Sequence, residues 1–193
     1  MKGIQIITTV LSVLITTCSI TSCAGLKQSI DVEKDSKYIE NDGKTTVDIM
    51  YYYKYQETNG EITITQYIGE DKIIKIPVHI NGKQVRNIGS YTFSACSDIE
   101  SVSIPTTIIS IGESSFAYCT GLKDITIPHG VVSVGQYAFH ECTGLTNITI
   151  PKSVTSIEND AFKSCTSLTI SGYKNSCAEK YASENNIPFK ALD

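Results

Sequence analysis

Four phenylalanine–cysteine pairs recur along this chain at one fixed interval. Phe93 with Cys96, Phe116 with Cys119, Phe139 with Cys142 and Phe162 with Cys165 are each displaced by 23 residues from the pair before (116 − 93, 139 − 116, 162 − 139). A period of this length marks a stack of small units. No unit can bury its own apolar face, so each is stable only against its neighbours. The chain is therefore expected to fold as a repeat solenoid, and every local reading has to agree with that period.

The remaining apolar residues keep the same step. Ile99, Leu122, Leu145 and Leu168 share one slot, and Val102, Ile125 and Ile148 the next. Ile104, Ile127 and Ile150 stand directly before Pro105, Pro128 and Pro151. Ile108, Val131 and Val154 follow, then Ile111, Val134 and Ile157. Alternation of Ile or Val with Thr or Ser suits strands with one face inward. Proline lacks an N–H, ends the ladder, and so marks a corner on each rung. Gly89, Gly112 and Gly135 follow the second short extended piece and suit a tight bend, although Glu158 in the last rung speaks against a strict need for positive φ. The phenylalanines are expected in a short helical turn or irregular coil, filling the core. The first rung is an imperfect copy. Ile73 to Pro77 matches the later Ile-x-Ile-Pro segments, but Pro77 and Pro105 are 28 residues apart (105 − 77), and the extra residues hold Asn81-Gly82, read as a tight turn in a loop.

The pattern Ile-Pro-x-x-Val-x-x-Ile-Gly-x-x-Ala-Phe-x-x-Cys-x-x-Leu resembles the BspA-type leucine-rich repeat of bacterial surface proteins, over about Gly60 to Asp193. The resemblance implies a right-handed, mainly β solenoid with a parallel sheet on one face. It also implies a non-enzymatic role, with family members associated with adhesion to host matrix proteins or to other cells.

Five segments are expected: an export signal over 1–22, a lipidated Cys and polar tether over 23–45, an N-terminal β-hairpin cap over 46–68, the solenoid over 69–172 and a C-terminal helical cap over 173–193. Lys2 precedes an apolar run from Ile4 to Ile15, too short for a membrane span but suited to a signal. Ile20-Thr21-Ser22-Cys23 is similar to a bacterial lipobox, which implies acylation and an N-terminal lipid anchor at Cys23. Cys18 is the less favoured alternative. Asn59-Gly60 between β-rich stretches is a hairpin signal. Tyr51, Tyr53 and Tyr55 on one strand face are read as covering the first rung. Ser176-Cys177-Ala178-Glu179 fits a capping box, Ala178, Tyr181 and Ala182 form a helical apolar stripe, and Asn185-Asn186 end the helix before an extended Ile187-Pro188-Phe189. This last stretch resembles the family's terminal cap, with Cys177 in place of a more common aromatic, so the chain reads as complete.

No chemistry is visible. His79, His129 and His140 are scattered, and His129 and His140 are expected in solvent. No phosphate-binding loop or carboxylate pair stands out, so neither catalytic residue nor cofactor is expected. The cysteine column is read as buried, reduced thiols in preference to disulfides, and a metal site is disfavoured because no Cys-x-x-Cys pair exists. A formal charge of −4 without basic clusters argues against nucleic acid. What remains is a polar outer face: Ser103, Thr126 and Thr149 beside Glu100, Lys123 and Thr146, and beside Ser101, Asp124 and Asn147. Those nine residues are the candidate site for a protein or glycan ligand. The expected function is a lipid-anchored, exported binding module of the cell envelope. A structural or assembly component of that envelope is the alternative.

Overall fold

A computed structural model describes residues 52–193. The expected signal, Cys18, Cys23, the tether and the cap strand up to Tyr51 lie outside the described residues.

The chain enters through an antiparallel hairpin, β1 (Tyr53–Thr58) and β2 (Glu61–Tyr67). Asn59 and Gly60 have φ of 53° and 80°, the left-handed pair that a two-residue turn needs. Ile62 and Ile64 are fully buried, while Thr63 and Thr65 lie half-buried on the other face. Tyr53 is buried and Tyr55 packs partly against the core, so the described tyrosines of the cap do cover the first rung. The rungs follow: β3 (Ile73–Lys75), β4 (His79–Ile80), β5 (Lys83–Ile88), β6 (Ser101–Ser103), β7 (Ser110–Ile111), β8 (Asp124–Thr126), β9 (Ser133–Val134), β10 (Asn147–Thr149), β11 (Ser156–Ile157) and β12 (Thr169–Tyr173). Helix α1 (Cys177–Glu184) and strand β13 (Phe189–Leu192) close the chain.

Two parallel ladders result, where one sheet was expected. One runs β3-β6-β8-β10-β12-β13; the other runs β2-β5-β7-β9-β11, with β1 on its outer edge. The second forms because each short extended piece repeats at the same offset. Ile88, Ile111, Val134 and Ile157 fall in register, and even two-residue strands then find partners for their N–H and C=O groups. The insertion in the first rung is itself a small hairpin. β4 pairs antiparallel with β5 across Asn81 and Gly82, at φ 52° and 73°, and buries Ile80 and Val85.

The phenylalanines stack along the axis. Phe93, Phe116, Phe139 and Phe162 lie at centroid separations of 4.9, 5.1 and 5.3 Å, with ring planes within 9° of parallel. That separation is close to the 4.7–4.9 Å spacing of neighbouring strands, so the rung repeat imposes the ring repeat. At the ends, where the repeat no longer dictates geometry, aromatics leave the stacked orientation, and Tyr67 meets Phe93 at 5.4 Å and 35°. Tyr181 meets Phe162 at 5.6 Å and 78°, and Tyr53 meets Phe93 at 6.3 Å and 80°. Each fully buried large apolar side chain contributes roughly 1.5–3 kcal/mol before entropy is counted.

The backbone around each Phe is a run of tight turns with two left-handed residues per rung, not a helical turn. Tyr91, Ser114, Tyr137 and Asp160 form one such column, and Ala95, Tyr118, Glu141 and Ser164 the other. The glycines before them have ordinary φ; their role is steric. A Cβ on Gly112 would lie 2.7 Å from the Gly89 carbonyl carbon and 2.8 Å from the Ser90 nitrogen, so stacked backbones leave no room for one.

The C-terminal cap follows its sequence signal with one shift. The Ser176 hydroxyl accepts from the Glu179 N–H at 3.3 Å, as a capping box requires. The Glu179 carboxylate, however, accepts from Asn175 N–H at 2.6 Å, because the Ser176 N–H already donates to the Tyr173 carbonyl at 3.2 Å. Ala178, Tyr181 and Ala182 are the buried residues of α1, and β13 pairs parallel with β12.

Candidate binding face

Strands β6, β8 and β10 carry six of the nine candidate residues on the outer side of the sheet that runs from β3 to β13, and Glu100, Lys123 and Thr146 stand directly before these strands. Their central residues Val102, Ile125 and Ile148 point into the core, and parity sends the flanking residues outward. Ser101, Asp124 and Asn147 are in register, as are Thr126 and Thr149. Glu100, Ser101, Ser103, Lys123, Asp124, Thr126 and Thr146 are exposed; Asn147 and Thr149 are half-buried.

Side chains on this face touch between rungs. Lys72 Nζ lies 3.0 Å from Glu100 Oε1. Their hydrogen bond, more than their long-range attraction, holds the Glu100 carboxyl below its usual range and the Lys72 ammonium above it. Both groups are in solvent, so the pair orients the face and adds little stability. The Thr146 hydroxyl donates to the Lys123 carbonyl at 3.3 Å, and the Ser171 hydroxyl donates to Asn147 Oδ1 at 2.9 Å. The face thus alternates short hydroxyls with single charges of both signs. Ile73, 67% exposed, borders it on β3. Cavities of about 310 and 360 Å³ lie instead at the two ends of the solenoid, one lined by Glu70, Asp71 and Asp98 and the other by Lys163, Tyr181 and Asn186.

The cysteine column is a hydrogen-bonded ladder that the spacing alone did not reveal. Cys119, Cys142 and Cys165 are free, buried thiols. They donate to the carbonyls of Phe93, Phe116 and Phe139 in the preceding rung, at 3.1, 3.0 and 3.0 Å. Burial pushes the Cys119 thiol up to about 12 and the Cys165 thiol to about 11, and drives Cys142 up as well. Such thiols are poor nucleophiles and poor ligands. Cys96, at the head of the column and 4% exposed, is disulfide-bonded, so the column is not reduced throughout as expected; the three thiols below it are. Among the described residues no group of three His, Cys, Asp or Glu could hold a metal ion.

His79 and His129 are exposed, but His140 is not in open solvent as expected. Its ring is half-buried, edge-on to Tyr118 at 5.3 Å and to Tyr137 at 5.5 Å. The three residues occupy different columns of the repeat, so no column-by-column reading groups them.

Among curated proteins none matches the chain. Solved structures of bacterial leucine-rich repeat proteins are similar to it. One from T. pallidum is 27% identical with a TM-score of 0.57, over 66% of this chain and 71% of that one. A leucine rich cell surface protein of Faecalibacterium prausnitzii is 28% identical with a TM-score of 0.51, over 72% of this chain and 41% of that one. A leucine-rich repeat protein of Bacteroides capillosus is 31% identical with a TM-score of 0.52, over 56% of this chain and 84% of that one. Residues 74–184 match a family model described as the BspA type leucine rich repeat region with 6 copies, and the chain belongs to that family.

Proposed function

We propose that this chain is a non-catalytic binding module of the bacterial cell envelope, exported, anchored through a lipid on Cys23, and engaging a macromolecular partner through the outer face of β6, β8 and β10. The observation that carries the reading is the face itself. It is regular, solvent-exposed and polar, it extends over at least three rungs in register, and the cavities described above lie away from it at the ends. An outer strand surface of this extent suits a protein better than a small molecule, since small-ligand sites are clefts. The cell-surface description of the Faecalibacterium protein supports the location. The lipobox-like Ile20-Thr21-Ser22-Cys23 supports the anchor.

The test is binding of the purified full chain to immobilised matrix proteins, with a variant carrying Lys123→Ala, Asp124→Ala and Thr126→Ala beside it. These exposed changes leave the core untouched, so the variant should melt with the parent. Saturable binding lost in the variant supports the sheet. Binding that survives the triple change places the interface elsewhere, and absence of binding to every matrix protein removes the adhesive reading.

A further inference from the structure

The chain contains two Asn-Gly pairs, and the fold holds both in nearly the same turn. Asn59-Gly60 closes the β1–β2 hairpin, and Asn81-Gly82 closes the β4–β5 hairpin. Their φ values are 53° and 80° in the first and 52° and 73° in the second. All four residues are exposed, and nothing stands within 4 Å of where a Cβ on either glycine would lie. Neither glycine N–H donates a hydrogen bond among the described residues.

The two differ in how the asparagine side chain is held. Asn81 Nδ2 donates to the Tyr55 hydroxyl at 2.7 Å, a contact that ties the insertion to the cap. The Asn59 side chain makes no hydrogen bond within the described residues. The difference matters because an Asn-Gly side chain reacts with its own backbone. The glycine nitrogen attacks the Asn Cγ and gives up its proton to base. The N–Cγ bond forms, the Cγ–Nδ2 bond breaks, and ammonia leaves. Water then opens the five-membered imide at either carbonyl, giving aspartate or its β-linked isomer. Glycine favours the step because it has no side chain to crowd its nitrogen and few limits on its φ. The Asn side chain has to swing over the following peptide, so one pinned elsewhere must first be released.

We infer that Asn59 is a site of spontaneous imide formation, and that the Tyr55 hydroxyl protects Asn81 from the same reaction. Turn geometry and exposure do not separate the two sites. Strand length works in the opposite direction, since β4 has two residues against six in β1, so the order of reaction reports the side-chain contact. Releasing Asn81 gives up the net worth of one hydrogen bond, which slows the step by about two- to tenfold. The consequence falls on the cap. Conversion puts a new carboxylate beside Glu57 and Glu61, which already pair with Lys83 and Arg86. The β-linked product also adds a methylene to the main chain of a two-residue turn whose twist is matched to its strands.

The experiment follows amide loss by peptide mapping and mass spectrometry in the purified full chain, folded and in urea, in mildly alkaline buffer. In urea each pair reacts at the rate its sequence sets, and the ratio of unfolded to folded rate gives the protection of that site. Asn59 should convert in the folded chain, and the protection of Asn81 should exceed that of Asn59 by about two- to tenfold. Tyr55→Phe keeps the ring and removes the acceptor, so the protection of Asn81 should fall by that same factor of about two to ten while Asn59 is unchanged. Fragmentation that separates the β-linked isomer from aspartate should find both products at Asn59, as opening of an imide requires. The inference is overturned if Asn59 keeps its amide in the folded chain, or if Tyr55→Phe leaves the Asn81 rate unaltered. Aspartate alone at Asn59 would also overturn it, since direct hydrolysis and not the imide would then account for the loss.

Discussion

The last rung of a solenoid lacks the neighbour that every other rung has, and Tyr181 supplies part of what is missing. In the first three Phe rungs the Phe N–H donates to the next rung: Phe93 to the Ser115 carbonyl at 2.7 Å, Phe116 to Ala138 at 2.7 Å and Phe139 to Ala161 at 2.8 Å. Phe162 has no following rung, and its N–H donates to the Tyr181 hydroxyl at 3.3 Å, inside the protein. The Tyr181 ring covers the end of the Phe stack as well. Tyr181→Phe separates the two roles, because it deletes the acceptor and keeps the ring. A buried N–H left without a partner costs about 1–3 kcal/mol. The bond is long, and the cavity of about 360 Å³ lined by Phe162 and Tyr181 gives water a route to the N–H, so about 1 kcal/mol at the low end is expected. Tyr181→Ala uncovers the stack too and should cost about 3–5 kcal/mol. Urea unfolding gives both differences at unchanged m; Tyr173→Phe, whose ring is only half-buried beneath Lys152, serves as the control within about 0.5 kcal/mol. If Tyr181→Phe is indistinguishable from that control, the hydroxyl does not complete the ladder. If it matches Tyr181→Ala, the ring contributes nothing.

Other consequences follow from the same geometry. Gly112→Ala drives a Cβ into the backbone of the preceding rung and should destabilise by about 1–3 kcal/mol, measured by the same unfolding curves. A neutral effect would mean the rungs can separate locally. The folded thiols stay protonated well above the reference value of 9.0, whereas unfolded thiols ionise near it, so their contribution is complete below about pH 9 and is lost as pH rises toward about 11 for Cys165 and 12 for Cys119. The urea midpoint should therefore decline above about pH 9, and replacing Cys119 and Cys165 with Ala should flatten that decline. Under native conditions a thiol reagent should modify half-buried Cys177 before Cys119, Cys142 or Cys165; equal rates would contradict their burial. Cys23→Ala should abolish incorporation of labelled fatty acid, and continued labelling would remove the anchor.

The core was legible because its residues have no freedom between rungs. Phe116, Cys119, Leu122 and Ile125 each fill a slot bounded by the same slot above and below, so the period of 23 carries the packing with it. Asn59-Gly60 and Ser176 were legible for a different reason, since the geometry each serves accepts few residue types. The second sheet was not foreseen as such, because a two-residue strand such as Ser133–Val134 has no pattern of its own and exists only through register. Gly112 was ambiguous because a glycine reports that a Cβ is excluded and not which constraint excludes it. The structure assigns the constraint to the neighbouring backbone.

The surface obeys a different logic, and it explains why function was harder to read than fold. An outward Thr126 satisfies the strand whether it meets water or a ligand, so the strand places no further condition on its identity. The periodic reading therefore points to the sheet only by regularity. A useful signal on the outside of a repeat protein is a residue that the fold would rather not have. Tyr118 and Tyr137 are of that kind, large side chains at positive φ in turns that Ser114 and Ser164 occupy with less strain. They become visible only when the left-handed columns are known, and they meet His140 only because their rings reach across columns. On a solenoid, then, departures from local preference in the turns emerge only with the backbone, whereas the uniform polarity of the strands is already written in the period.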